Sequence, residues 1–131
     1  MKANELMIGD WVLYNETPQQ ILEISGIDDE VYLETDELVH QSEIQPIPIT
    51  QEILEKNGFV QSPHFKEVYR IVNYDEYLRV GINMKNGRYL NIIKTFEDGS
   101  EEFNYNTPIP KFVHELQHAL RLCGIDKEIE L

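Results

Sequence analysis

The chain has 131 residues, 41% hydrophobic and 27% charged, with seven Tyr, five Phe and one Trp to supply bulky apolar area. This makes one domain or two very small ones and excludes a disordered or fibrous chain. No apolar run reaches the roughly 18 residues that span a bilayer, and Met1 to Asp10 lacks the basic start and apolar stretch of a signal peptide. The single cysteine, Cys123, excludes an intramolecular disulfide and any multi-cysteine metal knuckle held by this chain alone. A soluble, cytoplasmic protein is the expectation.

Eleven basic residues against 24 acidic ones give a formal charge of −13. Residues 1–49 hold eleven of the acids and one base, Lys2, a balance of −10, so residues 50–131 carry only −3. An anionic surface repels phosphate backbones and anionic lipid, so neither direct nucleic-acid binding nor membrane binding is expected. A basic protein partner fits it, and a DNA-mimicking decoy, whose carboxylates stand before a nucleic-acid-binding protein in place of phosphates, is one version of that idea. The alternative is that the charge only keeps the protein soluble. In either case the carboxylates of residues 1–49 are expected to face outward, because ionised acids are rarely buried unpaired.

In chain order, Trp11 to Tyr14, Gln20 to Ile24, Val31 to Thr35 and a stretch ending at Ile44 to Ile49 read as short strands. Gly9-Asp10, Asn15 to Pro18 and Gly26 to Asp29 supply the turn residues around them. Leu22 and Ile24 share one face, as do Val31 and Leu33, with Glu23, Tyr32 and Glu34 opposite. Pro46 and Pro48 have no amide hydrogen to give, which places that segment at an edge or outside the ladder. Four or five such strands in under 50 residues resemble a small SH3-like barrel. Trp11, Tyr14 and Tyr32 could line an exposed face of it, although core packing is the simpler use of Trp11.

Thr50 caps a short helix to about Asn57, stapled by Ile49 on Leu54 and stopped by Gly58. Strands resume with Val68 to Val72, then Leu78, Val80, Ile82 and Met84 in alternation, then Tyr89 to Phe96 and Glu101 to Tyr105. Asn86-Gly87 and Asp98-Gly99 mark two hairpin turns, which gives an antiparallel meander of three or four strands. Thr107 to Pro110 interrupts the pattern, and a last helix runs from about Lys111 to Cys123 with Gly124 as its stop.

His114-Glu115-Leu116-Gln117-His118 matches the zinc-peptidase spacing, in which two imidazoles one turn apart hold the metal and the glutamate polarises its water. The helical period, however, puts Phe112, Val113, Leu116, Ala119, Leu120 and Cys123 on one arc and His114, Gln117, His118 and Arg121 on the other. Gly124 stands where a third metzincin ligand would be, and nothing in the sequence places His64 or Asp126 near the pair. The four polar residues are therefore expected to form a solvated helix face. The apolar arc is expected to cover the second sheet, on the face of Val80 and Ile82. Cys123 lies in that arc and reads as a small buried hydrophobe. Asp28-Asp29-Glu30 and Glu34 to Glu37 lack the spaced ligands and central glycine of a calcium loop.

Ile8-Gly9-Asp10-Trp11-Val12-Leu13-Tyr14-Asn15, Ile49 through Phe59, and Val113 through His118 together resemble a group of small uncharacterised proteins of gut anaerobic bacteria and their phages. The resemblance runs over nearly the whole chain and implies a mobile-element origin without implying a mechanism.

The expectation from sequence is thus an α+β protein. Residues 1–49 form a small acidic barrel-like unit, and residues 50–131 form a helix, an antiparallel sheet and a C-terminal helix, compact with the first. It acts as a non-catalytic binding or accessory protein, with no catalytic residue, no metal and no cofactor assigned and no oligomeric state implied. A zinc-dependent hydrolase using His114, Glu115 and His118 is the alternative from another class, and the acidic decoy is a third reading.

Overall fold

The structure, a computed structural model, describes residues 1–2, 5–71, 78–84, 89–108 and 111–131, without the side chains of residues 78, 89, 107 and 108. It divides into two units, one of Met1–Ile49 with Lys111–Glu128 and one of Thr50–Pro110 with Ile129–Leu131. Among the described residues, no helix is long and apolar enough to cross a membrane. The protein is a small α+β fold, with two antiparallel sheets and two α-helices among the described residues.

In the first unit, β1 (Trp11–Tyr14), β2 (Thr17–Ser25), β3 (Glu30–Leu33), β4 (Leu38–His40) and β5 (Ile44–Pro46) form one antiparallel sheet in the order β4-β3-β2-β1-β5. Asn15 and Glu16 both take positive φ, 48° and 63°, which makes a tight two-residue hairpin whose twist matches the strands it joins. The turn is thus shorter than Asn15 to Pro18. Pro18 falls inside β2, opposite Leu13, but beyond the end of β3, whose ladder with β2 begins at Ile21. On that side Pro18 has no ladder partner to disappoint. β4 escapes detection in the sequence because only Val39 of its three residues is buried.

After β4, a single 3-10 turn over Gln41–Glu43 carries the chain to β5. His40 caps it: Ser42 N–H donates to His40 Nδ1 at 3.2 Å, and His40 N–H donates to Glu43 Oε2 at 3.0 Å. β5 then pairs along the far side of β1, with Val12 opposite Pro46. Pro46 sits on the outer edge and Pro48 outside the sheet, in an isolated bridge with Phe112, as their missing amide hydrogens require. β4 and β5 lie at the two ends of the order with no ladder joining them, so the sheet is open and not the closed barrel suggested by the sequence. Its core is Leu6, Val12, Ile21, Val31, Leu33, Val39 and Ile44, with Tyr14 and Ile24 packed alongside. Trp11 is half-buried and outside that cluster.

The second unit opens with α1 (Gln51–Lys56), whose N-cap Thr50 accepts a hydrogen bond from Ile53 N–H at 3.3 Å. Gly58, at φ 84°, takes the left-handed conformation that ends the helix. β6 (Phe59–Gln61), β7 (Val68–Ile71), β8 (Leu78–Asn83), β9 (Tyr89–Thr95) and β10 (Glu101–Pro108) follow in the order β10-β9-β8-β7-β6. The meander therefore has five strands rather than three or four. The extra one, β6, is three residues long with one buried side chain, too short for an alternation to be read.

Register explains the alternation that is legible. Tyr69 faces Ile82, Ile82 faces Leu90 and Val80 faces Ile92, and all five are buried, so one face of this sheet is apolar. The opposite face is polar, where Asn91 Nδ2 donates to Asn104 Oδ1 at 2.9 Å and to Asn106 Oδ1 at 3.1 Å. The Asp98-Gly99 turn forms with Gly99 at φ 87°, and the Ser100 hydroxyl and amide, donating to Asp98, hold its carboxyl below the usual range. The Asn86-Gly87 turn lies outside the described residues, as do Val72 and the Ile109-Pro110 end of the expected interruption. The buried amide of Asn57 clamps the chain's last residues: its Nδ2 donates to Ile53 O at 2.8 Å and Glu130 O at 2.7 Å, and Glu130 N–H donates to its Oδ1 at 2.7 Å.

The last helix, α2 (Val113–Leu122), ends before Gly124, which has φ 71°. It was expected with the second sheet, yet it groups with the first unit. The reason lies in its polar side chains, which are bonded to the turn before β1.

Candidate functional site

The residues from Met7 to Trp11 bring a carboxylate and two backbone groups up to one side of α2. Asp10 is fully buried, and its Oδ2 accepts from Met7 N–H at 2.7 Å, which fixes the turn on which it sits. His118 Nε2 lies 2.7 Å from the same Oδ2, and Arg121 Nη1 donates to Oδ1 at 3.3 Å. The charge is thus compensated by two groups one helical turn apart, the condition under which a carboxylate can leave water. Gln117, between them in sequence, accepts from Trp11 N–H at 2.9 Å and donates to Gly9 O at 3.0 Å. Gln20 Nε2 donates to the same carbonyl at 3.2 Å.

Gly9 has a double reason to be glycine. It takes φ 89°, and a Cβ there would stand 2.9 Å from Arg121 Nη2.

The expected solvated face of α2 is therefore corrected. His114 and Gln117 are buried, His118 is about a quarter exposed, and Arg121 is the most open to water of the four. The apolar arc is buried as expected at Val113, Leu116, Ala119 and Leu120, whereas Phe112 and Cys123 are half-buried. Burial pushes the Cys123 thiol up, away from the thiolate form that reacts. The outward placement of the acids holds for nine of the eleven in residues 1–49, with Glu30 half-buried and Asp10 the exception.

His114 and His118, the two imidazoles of the zinc-like spacing, stand edge to face with ring centroids 5.6 Å apart. His118 has committed Nε2 to Asp10. His114 stacks on Phe112 at 6.0 Å, and its buried Nδ1 has no hydrogen-bond partner among the described residues. Burial lowers the His114 pKa below its ordinary 6.5; nearby Asp10, Glu115 and Glu5 pull the other way, and His118 adds to the lowering. Among the described residues, no group of three or more His, Cys, Asp or Glu side chains is placed to hold a metal ion. A pocket of about 500 Å³ opens beside these rings, lined by Met1, Glu5, Pro46, Phe112, His114, Glu115 and His118.

Sequence reasoning missed Asp10. Gly9-Asp10 reads as a turn, and the helical period separates the four polar side chains of α2 from the apolar arc without saying whether they meet water or a partner. Comparison with protein-family models, curated proteins and solved structures found no match.

Proposed function

We propose that this chain is a non-catalytic, cytoplasmic binding protein whose first unit docks a basic protein partner. The observation that carries the reading is the outer face of β2, β3 and β4. There Glu23, Tyr32 and Leu38 stand in one row across the three strands, with Tyr32 and Leu38 40% and 49% exposed. Leu22, expected on the face of Ile24, is instead exposed beside them where the register shifts between Ile21 and Glu23, as is Ile27, and Asp28, Asp29, Glu34, Asp36 and Glu37 crowd the adjoining turns. The returning segment Lys111–Glu128 adds three acids and three bases, so the unit keeps its −10. Carboxylates interleaved with exposed apolar side chains match a partner that presents Lys and Arg around a few apolar residues, which the field would steer from a distance.

The strand order, in which the fifth strand returns beside the first after one 3-10 turn, supports reading the unit as a variant of the SH3-like module, opened between β4 and β5. The bond between His118 Nε2 and Asp10 supports the non-catalytic reading, because it engages a nitrogen that a zinc-peptidase helix needs for its metal. Protein purified without chelator should then carry no stoichiometric zinc, and stoichiometric zinc lost in a folded His114→Ala variant overturns this part of the proposal.

The docking test is calorimetric titration with a synthetic Lys- and Arg-rich peptide containing two leucines, at about 50 and about 500 mM salt, which span strong and weak long-range attraction. Affinity should fall at least tenfold between them and again in a Tyr32→Ala, Leu38→Ala double variant. No binding at low salt, or binding indifferent to salt, refutes the proposal.

A further inference from the structure

Each sheet ends in two edge strands, and an edge presents a row of amide and carbonyl groups with which a further strand can pair. β4, β5 and β6 are each three residues long, and β5 ends in Pro46, so three of the four edges offer little to pair. β10 is the exception. It runs for eight residues, meets proline only at its last position, and among the described residues has a ladder with β9 alone. Its acids, Glu101 and Glu102, lie at one end, where the register shifts between Glu101 and Phe103; from Phe103 onward the ladder is regular and the strand uncharged.

Side chains alternate along this regular stretch. Phe103 and Tyr105 are half-buried, with Tyr105 opposite the buried Ile92, whereas Asn104 and Asn106 are exposed on the other face. Both asparagines accept from Asn91 through Oδ1, which leaves the Nδ2 group of each to donate elsewhere.

Charge and register then select an occupant. A parallel copy in register would set Glu101 and Glu102 beside their own counterparts, and like charges directly opposite are destabilising. An antiparallel copy, related by a two-fold axis through Tyr105, sets Tyr105 opposite Tyr105, Asn104 opposite Asn106 at two symmetric places and Glu102 opposite Pro108. Each acidic end thus runs past the neutral end of the other strand, and residues set opposite one another share a face, as a ladder demands. On the exposed face, the asparagine row that starts at Asn91 continues into its symmetry mate, with amide donors and acceptors on both sides. The second unit, with −3 of the chain's −13, is also where two copies repel each other least.

We propose that β10 pairs with β10 of a second copy, antiparallel about Tyr105, and so joins the second sheets of two chains into one continuous sheet. A junction of one strand buries little area, so the dimer is weak and forms as concentration rises.

The test is sedimentation velocity of the full chain, together with proton-nitrogen spectra of its backbone amides, from about 20 µM to about 1 mM, a span that brackets weak self-association. Mass should rise toward the dimer, and the amides of Phe103 to Asn106 should shift with concentration while those of β4, β5 and β6 stay in place. An Asn104→Glu, Asn106→Glu variant, changed only at exposed positions, sets carboxylates opposite one another at both symmetric places and should weaken the dimer about tenfold. An Asn104→Lys, Asn106→Glu variant sets opposite charges together across the antiparallel junction and should restore it. A chain still monomeric at the highest concentration, concentration-dependent shifts centred outside β10, or a Lys and Glu variant that dimerises no better than the double Glu variant overturns the proposal. So do shifts of the β10 amides when the Lys- and Arg-rich peptide is added at constant chain concentration, which would make this edge a site for a foreign basic strand. The parent chain alone supplies the mass and the shifts, so the test stands even where a variant fails to fold.

Discussion

Each unit ties a distant stretch of chain to itself through one buried polar side chain, and the two differ in kind. In the first, Asp10 is an ion, held by His118 and Arg121 from a helix more than 100 residues away in sequence. In the second, Asn57 is a neutral amide holding the backbone of Glu130, 73 residues on. The neutral clamp satisfies both its donor and its acceptor with backbone groups and asks nothing of pH or salt. The charged one depends on two partners that remain partly open to water, in the unit that already carries most of the negative charge. The contrast extends to the surfaces. The second unit carries about −3 and has a polar face laced by its own Asn91, Asn104 and Asn106 bonds, and although it too exposes Val60, Phe65 and Phe96, most of the negative charge lies on the first.

The largest effect expected is from Asp10→Ala, which strands Met7 N–H and removes the shared acceptor of His118 and Arg121. A loss of about 2 to 4 kcal/mol by urea unfolding is expected, below the full cost for a buried pair because both partners are partly open to water. The loss should shrink in 0.5 M NaCl as the attraction between Arg121 and Asp10 is screened. Asn57→Ala should cost about 1 to 3 kcal/mol by the same measurement and show no such salt dependence. Equal salt sensitivity in the two variants would erase the distinction between the clamps.

Gly9→Ala should cost about 1 kcal/mol, mostly for a left-handed backbone that alanine resists. The close contact is with the end of a flexible arginine, which can move aside, so a much larger loss would show Arg121 to be held more rigidly than its single bond to Asp10 implies.

The smallest effect is a pH dependence from His114. Its folded pKa lies below 6.5, so the folded state favours the neutral ring and the unfolded state takes up the proton first as pH falls. Its contribution is full above about pH 6.5 and is lost as pH drops through the lowered folded value. The stability difference between the parent and His114→Gln should therefore narrow from pH 7.5 to pH 5. A constant difference over that range contradicts the assignment.

Much of the fold is written locally. Thr50 and Gly58 bracket α1 by capping chemistry, and the alternation at Val80 and Ile82 marks one buried face of β8. β4 and β6 were not legible because three residues with one buried side chain carry no period. The Asp10 clamp was invisible for a different reason. Helical periodicity separates His114, Gln117, His118 and Arg121 from the apolar arc correctly, but periodicity does not say whether a polar face meets water or a partner. The closing of a loop by more than 100 residues decides that, and no local pattern records it.

The claim that the first unit is the docking surface is tested most directly by mapping backbone amide shifts of the full chain on titration with the basic peptide at low salt. The account predicts perturbations centred on Leu22, Glu23, Tyr32 and Leu38, extending to the turns at Asp28 and Asp36, with the strands from Phe59 to Tyr105 unmoved. Shifts centred on the second unit, or spread evenly over every exposed carboxylate in both units, would contradict it.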